Sequence, residues 1–514
     1  GSDVSLTAVG SITAGDVALE ESPFTATAGM DTETGVGIAL NNVSALEGSD
    51  VSLDATGSIE AGGVELKESS FTAITRSSGG SIRLGDVTAE DSEGIDLEAT
   101  GIEAGDISLD GSPLEADALG GGIALGSVTA VDSDIELKAN EGIQAGDISL
   151  DGSEFEAVSR DGGIALGKVT AVSGSRVSLE AKGDITAVDG TAAGDVSLAG
   201  SAFTVRSQDG RIALGNVTSD GLDVTLTAHV DIDTGSVALK GGLLTVTATN
   251  GGIAMGAVTA DKDVALKAGA GIETGDVEVL GGKFTATADT GGIALGAVTA
   301  DKDITLQAAV DIEAGDVEIK GGKFKAGATA GGIALGGVKA TESSNVELSA
   351  HGSIRTGDVE LDRSPLTASA NTGGITLGGV KATESSSVSL AAEGNILTEG
   401  VVLAKSPFTA TSKTGGIALG AVEARNESEV TLTADGDIVA DGVVLEGNPL
   451  NATAANGKVE LGNVEVHGNA LNANAPKGSI KLGALKTFSG SNITLTANDG
   501  VEMSAVTLQS TIVI

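Results

Sequence analysis

A six-residue pattern, GGIALG, returns along this chain at a nearly constant interval, and that interval limits the fold more than any single residue does. Marked by its first aliphatic residue, it falls at Ile38, Ile82, Ile123, Ile164, Ile212, Ile253, Ile293, Ile333, Ile375, Ile417, Val459 and Ile480, in steps of 44, 41, 41, 48, 41, 40, 40, 42, 42, 42 and 21 residues. A fixed period over all 514 residues marks a repeat array, in which each unit buries its apolar face only by stacking on its neighbours. The spacing leaves no space for a separate catalytic domain, so residues 1–514 read as one continuous repeat domain. The closing step is half the common one, which makes the physical unit a coil of about 20 residues, two to each 40–48-residue repeat.

Patterning inside one cycle agrees. In Gly291–Ala330, apolar residues alternate at Ile293 and Leu295, Val298 and Ala300, and Ile304, Leu306 and Ala308; the second half repeats this from Ile312 to Ala328. Period-two runs broken by Gly, Asp or Lys are strands and turns, not helix. Three short strands per half, repeated, close a triangular coil whose successors pair in parallel. The predicted fold is therefore all-β, a parallel β-helix, right-handed by the usual chirality of parallel crossovers. It has about 24 coils, and at roughly 4.8 Å per coil it extends on the order of 115 Å.

A narrow prism has space for aliphatic side chains and few rings, and aromatic residues make up 2% of the chain. Seven of the eight Phe residues, Phe24, Phe71, Phe155, Phe203, Phe284, Phe324 and Phe408, share one position in their cycles, with Leu114, Leu244, Leu366 and Leu450 at the same place in others. This is the signature of an inward ladder. Pro23, Pro113, Pro365, Pro407 and Pro449 each precede a ladder residue and mark a corner, because proline is tolerated at a strand start. The 48-residue step places a loop insertion at 188–193 over an intact coil. Near Val459 the sequence passes from a first-coil pattern to a second-coil one, with Leu471 at the ladder, as if one coil had been lost.

With 72 acidic and 29 basic residues the formal charge is −43, which disfavours nucleic acid and anionic lipid as partners. Asp follows the turn Gly in second coils (Asp16, Asp106, Asp147, Asp195, Asp276, Asp316, Asp358), whereas first coils usually place Ala, Ser, Asn, Lys or Gly there. That alternation separates the carboxylates by roughly 9.6 Å. The row reads as a solvated face; a divalent cation such as calcium is the alternative ligand, although the nonapeptide of calcium-binding β-rolls does not occur. No cofactor is expected, and no residue is assigned as a metal ligand. The chain has no cysteine, hence no disulfide or thiol nucleophile, and no apolar run long enough to span a bilayer. Its first residues are already repeat sequence in mid-coil, as expected of a piece of a longer polypeptide, a processed chain, or a subunit completed by its neighbour. Sequons at Asn42, Asn216, Asn426, Asn451 and Asn492 matter only in a host that glycosylates.

No catalytic residue is predicted. A polysaccharide-acting enzyme on this fold needs a local carboxylate and Arg or Lys cluster beside long loops and stacking rings, and here Trp and Tyr are absent and the coils are nearly uniform. His229, His351 and His467 read as exposed turn residues in unrelated coil positions. Ice binding is a further alternative. Thr-x-Thr pairs flank the ladder at Thr25 and Thr27, Thr245 and Thr247, and Thr285 and Thr287, but Glu, Lys or Ala interrupts the rank, which also skips alternate coils.

GGIAMGAVTADKDVALKA from Gly251 and GGIALGAVTADKDITLQA from Gly291, each followed by a GDVE-type coil, resemble the repeats of filamentous-haemagglutinin-like proteins, the large bacterial surface adhesins of two-partner secretion. The resemblance covers nearly the whole chain and is one of repeat style; that family's amino-terminal secretion domain with Asn-Pro-Asn motifs does not appear in these residues. It implies a right-handed parallel β-helix outside the cell or on its surface, acting as an adhesin stalk or fibre in adhesion, aggregation or biofilm. A dedicated self-assembling extracellular filament subunit is the alternative. The expected partners are identical copies joined end to end through strand-forming termini such as Ser510–Ile514, other cell surfaces, and matrix polysaccharide.

Overall fold

The computed structural model describes residues 2–189, 192–488 and 490–509. It is all-β, without a helix among the described residues, and forms a parallel β-solenoid of about 24 coils of roughly 21 residues. This is the class that the half-period predicts. The chain divides into two compact units, Gly1–Lys262 and Asp263–Ile514.

In the first unit a typical coil comprises the strands Ile123–Leu125, Val128–Val131 and Ile135–Ala139. The next comprises Ile143–Gln144, Ile148–Asp151 and Glu154–Ser159. Pairing is parallel and in register: Ile123 faces Ile143, Val128 faces Ile148, and Ile135 faces Phe155. Alternation then places Ile123, Leu125, Val128, Ala130, Ile135 and Leu137 inside, and each is buried. Stacking like on like fills the axis without voids, and each buried Leu, Ile or Val side chain contributes about 1.5–3 kcal/mol of transfer free energy.

The insertion of this unit is a short hairpin. Ile185–Asp189 runs antiparallel to Ala192–Ala193, with Val188 opposite Ala193 and Asp189 opposite Ala192. Its tip, residues 190 and 191 of the expected loop, lies outside the described residues. Beneath it the coil continues, with Leu166 on Ala187 and Val169 on Val196.

The second unit begins with the same three-strand coil, as in Ile293–Leu295, Val298–Ala300 and Ile304–Ala308. From Ile375 onward the first two strands run together, as Ile375–Thr383, Ile396–Ala404, Ile417–Arg425 and Ile438–Glu446. Three short strands per coil therefore do not hold throughout. The corner is lost where its chemistry changes. Earlier second coils turn at Gly-Asp, as at Gly315-Asp316, but these have Glu399-Gly400 and Asp441-Gly442. Glycine replaces the aspartate, and the backbone itself continues the ladder, with Gly379 on Gly400, Gly400 on Ala421 and Ala421 on Gly442. Straightening brings the chains close: a Cβ on Gly420 would overlap the Glu399 carbonyl.

At Val459 the stack proceeds without a gap. Strand Val459–His467 lies on Ile438–Glu446, and Leu471 pairs with Leu450 in the ladder column. The terminal residues 510–514, with the strand expected there, lie outside the described residues.

Candidate functional site

All the proposed ladder positions point inward. Phe71, Phe155, Phe203, Phe284, Phe324 and Phe408 are among the largest fully buried side chains, Phe24 is buried too, and Leu114, Leu244, Leu366 and Leu450 share their fate. The rings do not stack on one another. Each alternates with a β-branched aliphatic residue, as where Phe284 lies between Val264 and Ile304.

The corners hold the polar chemistry. The row of aspartates expected to form a solvated face is exposed, and it also caps backbone. Oδ1 of Asp106, Asp147, Asp195, Asp276, Asp316 and Asp358 accepts from the backbone N–H of Ser127, Lys168, Asn216, Ala297, Gly337 and Gly379, one coil on, at 2.6–2.8 Å. Asp16 accepts from the side-chain amide of Asn42. A turn exposes an N–H that no strand partner can satisfy, and a short carboxylate reaches it as an N-cap residue does. A second corner works by the same device, Asp231 to Gly252 and Asp311 to Gly332. At the third corner, before the ladder, three solutions occur. Asp134, Asp223, Asp263 or Asp303 accepts from the N–H of Glu154, Leu243, Lys283 or Lys323; or a backbone carbonyl accepts, as Ser153 does from Arg176 and Gly322 from Asn345; or the position is proline and no N–H exists. The prolines still accept: Pro113, Pro365 and Pro407 take the N–H of Ile95, Val346 and Val388.

One polar column escaped the sequence reading. Ser92, Ser112, Ser133 and Ser153 are buried; each N–H donates to the next coil's Oγ, as Ser112 does to Ser133 and Ser133 to Ser153 at 2.9 Å. Each Oγ donates to a carbonyl two residues before it. Ser364, Ser386, Ser406 and Ser428 repeat the chain in the second unit. The residue before these serines often has a left-handed backbone, as at Glu68, Asp91 and Asp132, with φ of 50°, 46° and 45°. The available signal was Ser two residues before the ladder, in ESPF, GSPL, RSPL and KSPF.

Outward faces differ between the units. In the first, Asp96, Glu115, Glu136 and Glu156 face one another in consecutive coils, so like charges are not held two coils apart on this face. They line a shallow groove of about 420 Å³ with Glu93 and Asp134. Relief comes from the neighbouring file, where Lys138 pairs with Glu136 and lies 3.7 Å from Glu115. Thr225 and Thr227 already face Thr245 and Thr247 in the first unit, and in the second unit, from Leu366 onward, the corresponding face loses its charges. Thr409 lies opposite Thr431 and Thr411 opposite Thr433, and Asn451 and Thr453 continue the two files. The Thr rank thus occupies consecutive coils there and does not skip every other one.

His229 and His351 are exposed, and both sit five residues past an inward ladder residue, Val224 and Val346, so two of the three share a corner. The His229 ring contacts the Asn250 amide at 2.8 Å. His467 is half-buried: its ring stacks on Phe488 at 3.8 Å, its Nε2 lies 2.7 Å from Glu465, and Lys486 lies over the same Phe ring. Phe488, the one phenylalanine outside the ladder, thus packs between coils at the surface.

Among the described residues no group of three or more His, Asp or Glu is placed to hold a metal ion, and no helix is long and apolar enough to cross a membrane. Comparison with protein-family models, curated proteins and solved structures gives no match to this chain.

Proposed function

We propose that the protein is a non-enzymatic structural solenoid displayed outside the cell, the stalk of an adhesin or the subunit of a filament, serving adhesion, aggregation or biofilm. The observation that supports this reading is the recurrence of one joint within each unit: in-register parallel strand pairing carries coil onto coil, and the Asp caps of alternate coils and two runs of buried serines reinforce it. Such a design converts chain length into reach and stiffness. Catalysis, by contrast, calls for a local departure that concentrates a few groups, whereas the Asp and Ser side chains at the corners serve the backbone.

Electron microscopy of the native cell surface with antibody against the folded chain tests the proposal. Tapered single fibres carrying label support the stalk; long uniform filaments with an axial repeat support the filament subunit. Label confined to the cell interior overturns both.

A further inference from the structure

In a chain of net charge −43, seven successive ladder strands of the second unit, from Leu366–Ala370 to Asn492–Ala497, carry no charged side chain on their outward face. One file runs from Thr367 to Thr494 and the other from Ser369 to Thr496, with only Thr, Ser, Asn and a single Ala between. Strand pairing is in register throughout. The tips therefore form a flat lattice of about 4.8 Å between coils and about 6.8 Å along a strand. Thr is stiff at χ1, so its hydroxyls are held in place before any ligand arrives. Among the described residues the Thr431 hydroxyl and the Asn451 amide both donate to Glu429, at the edge of the face, and the Asn472 amide donates to Asn451; the Thr409, Thr411 and Thr433 hydroxyls point outward with no protein partner.

Three occupants fit an uncharged hydrogen-bonding lattice: a second copy of the chain, a sugar polymer, and ice. The face covers on the order of 550 Å², short of the roughly 800 Å² per partner of a stable protein interface, and it lacks the aromatic or Arg anchors that concentrate binding energy. The apolar faces of sugar rings call for flat aromatic platforms, and this face has none. Ice is matched by groups that both donate and accept, as hydroxyls do, at fixed spacing and with few ions imposing a hydration shell; here Glu429, at the edge, is the carboxylate bonded to the face. We propose that this face of the second unit binds ice.

The test uses the full chain in dilute buffer frozen slowly from one side, with the protein measured in the ice and in the remaining liquid, alongside thermal hysteresis. Enrichment in the ice and a measurable hysteresis are expected. Both should be lost in the Thr409→Lys, Thr431→Lys double variant and kept in Thr129→Lys, which places the same charge on an exposed strand of a different face in the first unit. If the double variant does not fold, Thr411→Lys alone introduces one charge at an outward hydroxyl without a protein partner and should weaken both readouts. Exclusion of the wild-type chain from ice, or equal enrichment of wild type and face variants, overturns the proposal. So does retention on crystalline cellulose or chitin without ice enrichment, or a dimer in sedimentation equilibrium that the face variants dissociate.

Discussion

Phe284 has no exposed surface and lies in the column between Val264 and Ile304, while Thr285, its neighbour, faces outward. Phe284→Asp places a carboxylate in a stack with nothing to pair it and should cost on the order of 3–5 kcal/mol, opening nearby coils to protease. Thr285→Asp should stay within about 0.5 kcal/mol. Equal protease sensitivity of the two would contradict the inward ladder. Thr398 makes the opposite case. Thr234, Thr274 and Thr356 share its inward column and donate to the carbonyl of the following Gly, but Thr398 is followed by Glu399 in the straightened strand, and its buried Oγ1 has no partner. Thr398→Val should therefore stabilise by about 1 kcal/mol, and Thr356→Val should not. Thermal or denaturant unfolding of the two variants decides it.

At the scale of the corner, the exchange of Asp cap for proline is testable as a double-mutant cycle. Asp223→Ala removes the acceptor for the Leu243 N–H and should cost about 1 kcal/mol. Leu243→Pro removes that N–H while keeping the carbonyl that accepts from Val224, and in its background Asp223→Ala should be nearly silent. Additive costs would show that the carboxylate acts by some other route. This corner also shows how much was legible beforehand. Coil length follows from the repeat interval, and the inward Phe column and the place of the prolines follow from period-two alternation, because burial dictates it. The Asp row was visible but its role was not, since an exposed carboxylate and a backbone cap have the same sequence spelling until the register of adjacent coils is known. The Ser column was hidden for a related reason: Ser before Pro reads as turn chemistry, and only stacking shows that its hydroxyl is buried. The uncharged face does not show in any single two-coil cycle, because it is a change that begins at Leu366 and persists through the coils that follow.

At the scale of the whole molecule, charge sets the response to solution conditions. Lys283, aided by the Lys323 N–H, holds Asp303 below the usual carboxyl range; Lys339 does so for Glu318, Lys323 for Glu347, Lys458 for Glu460, and His467 for Glu465. A carboxyl with a depressed folded pKa stabilises above its unfolded value and loses that contribution as pH falls through the folded one. Lys283, Lys381 and Lys458 are raised by Glu or Asp partners, so their contribution is complete below about pH 10 and is lost above it. Melting temperature should therefore be flat from about pH 5 to 9, fall below about pH 4, and fall again above about pH 10.5. Each surface pair is worth little alone. At neutral pH added NaCl should raise the melting temperature by screening the excess of acidic side chains. A melting temperature that climbs steadily down to pH 3 would show that relief of repulsion outweighs the pairs.

The joint between coils also bears on inheritance. Ile304 accepts Phe284 below it and Phe324 above it in the same register, and the segments Gly251–Ala268 and Gly291–Ala308 are nearly the same text. Recombination between such copies inserts or excises a whole two-coil block, and every column of side chains rejoins in phase. Molecular length then becomes a heritable variable that changes in steps of roughly 9.6 Å, and alleles should differ by complete blocks of 40–42 codons far more often than by fractions of one.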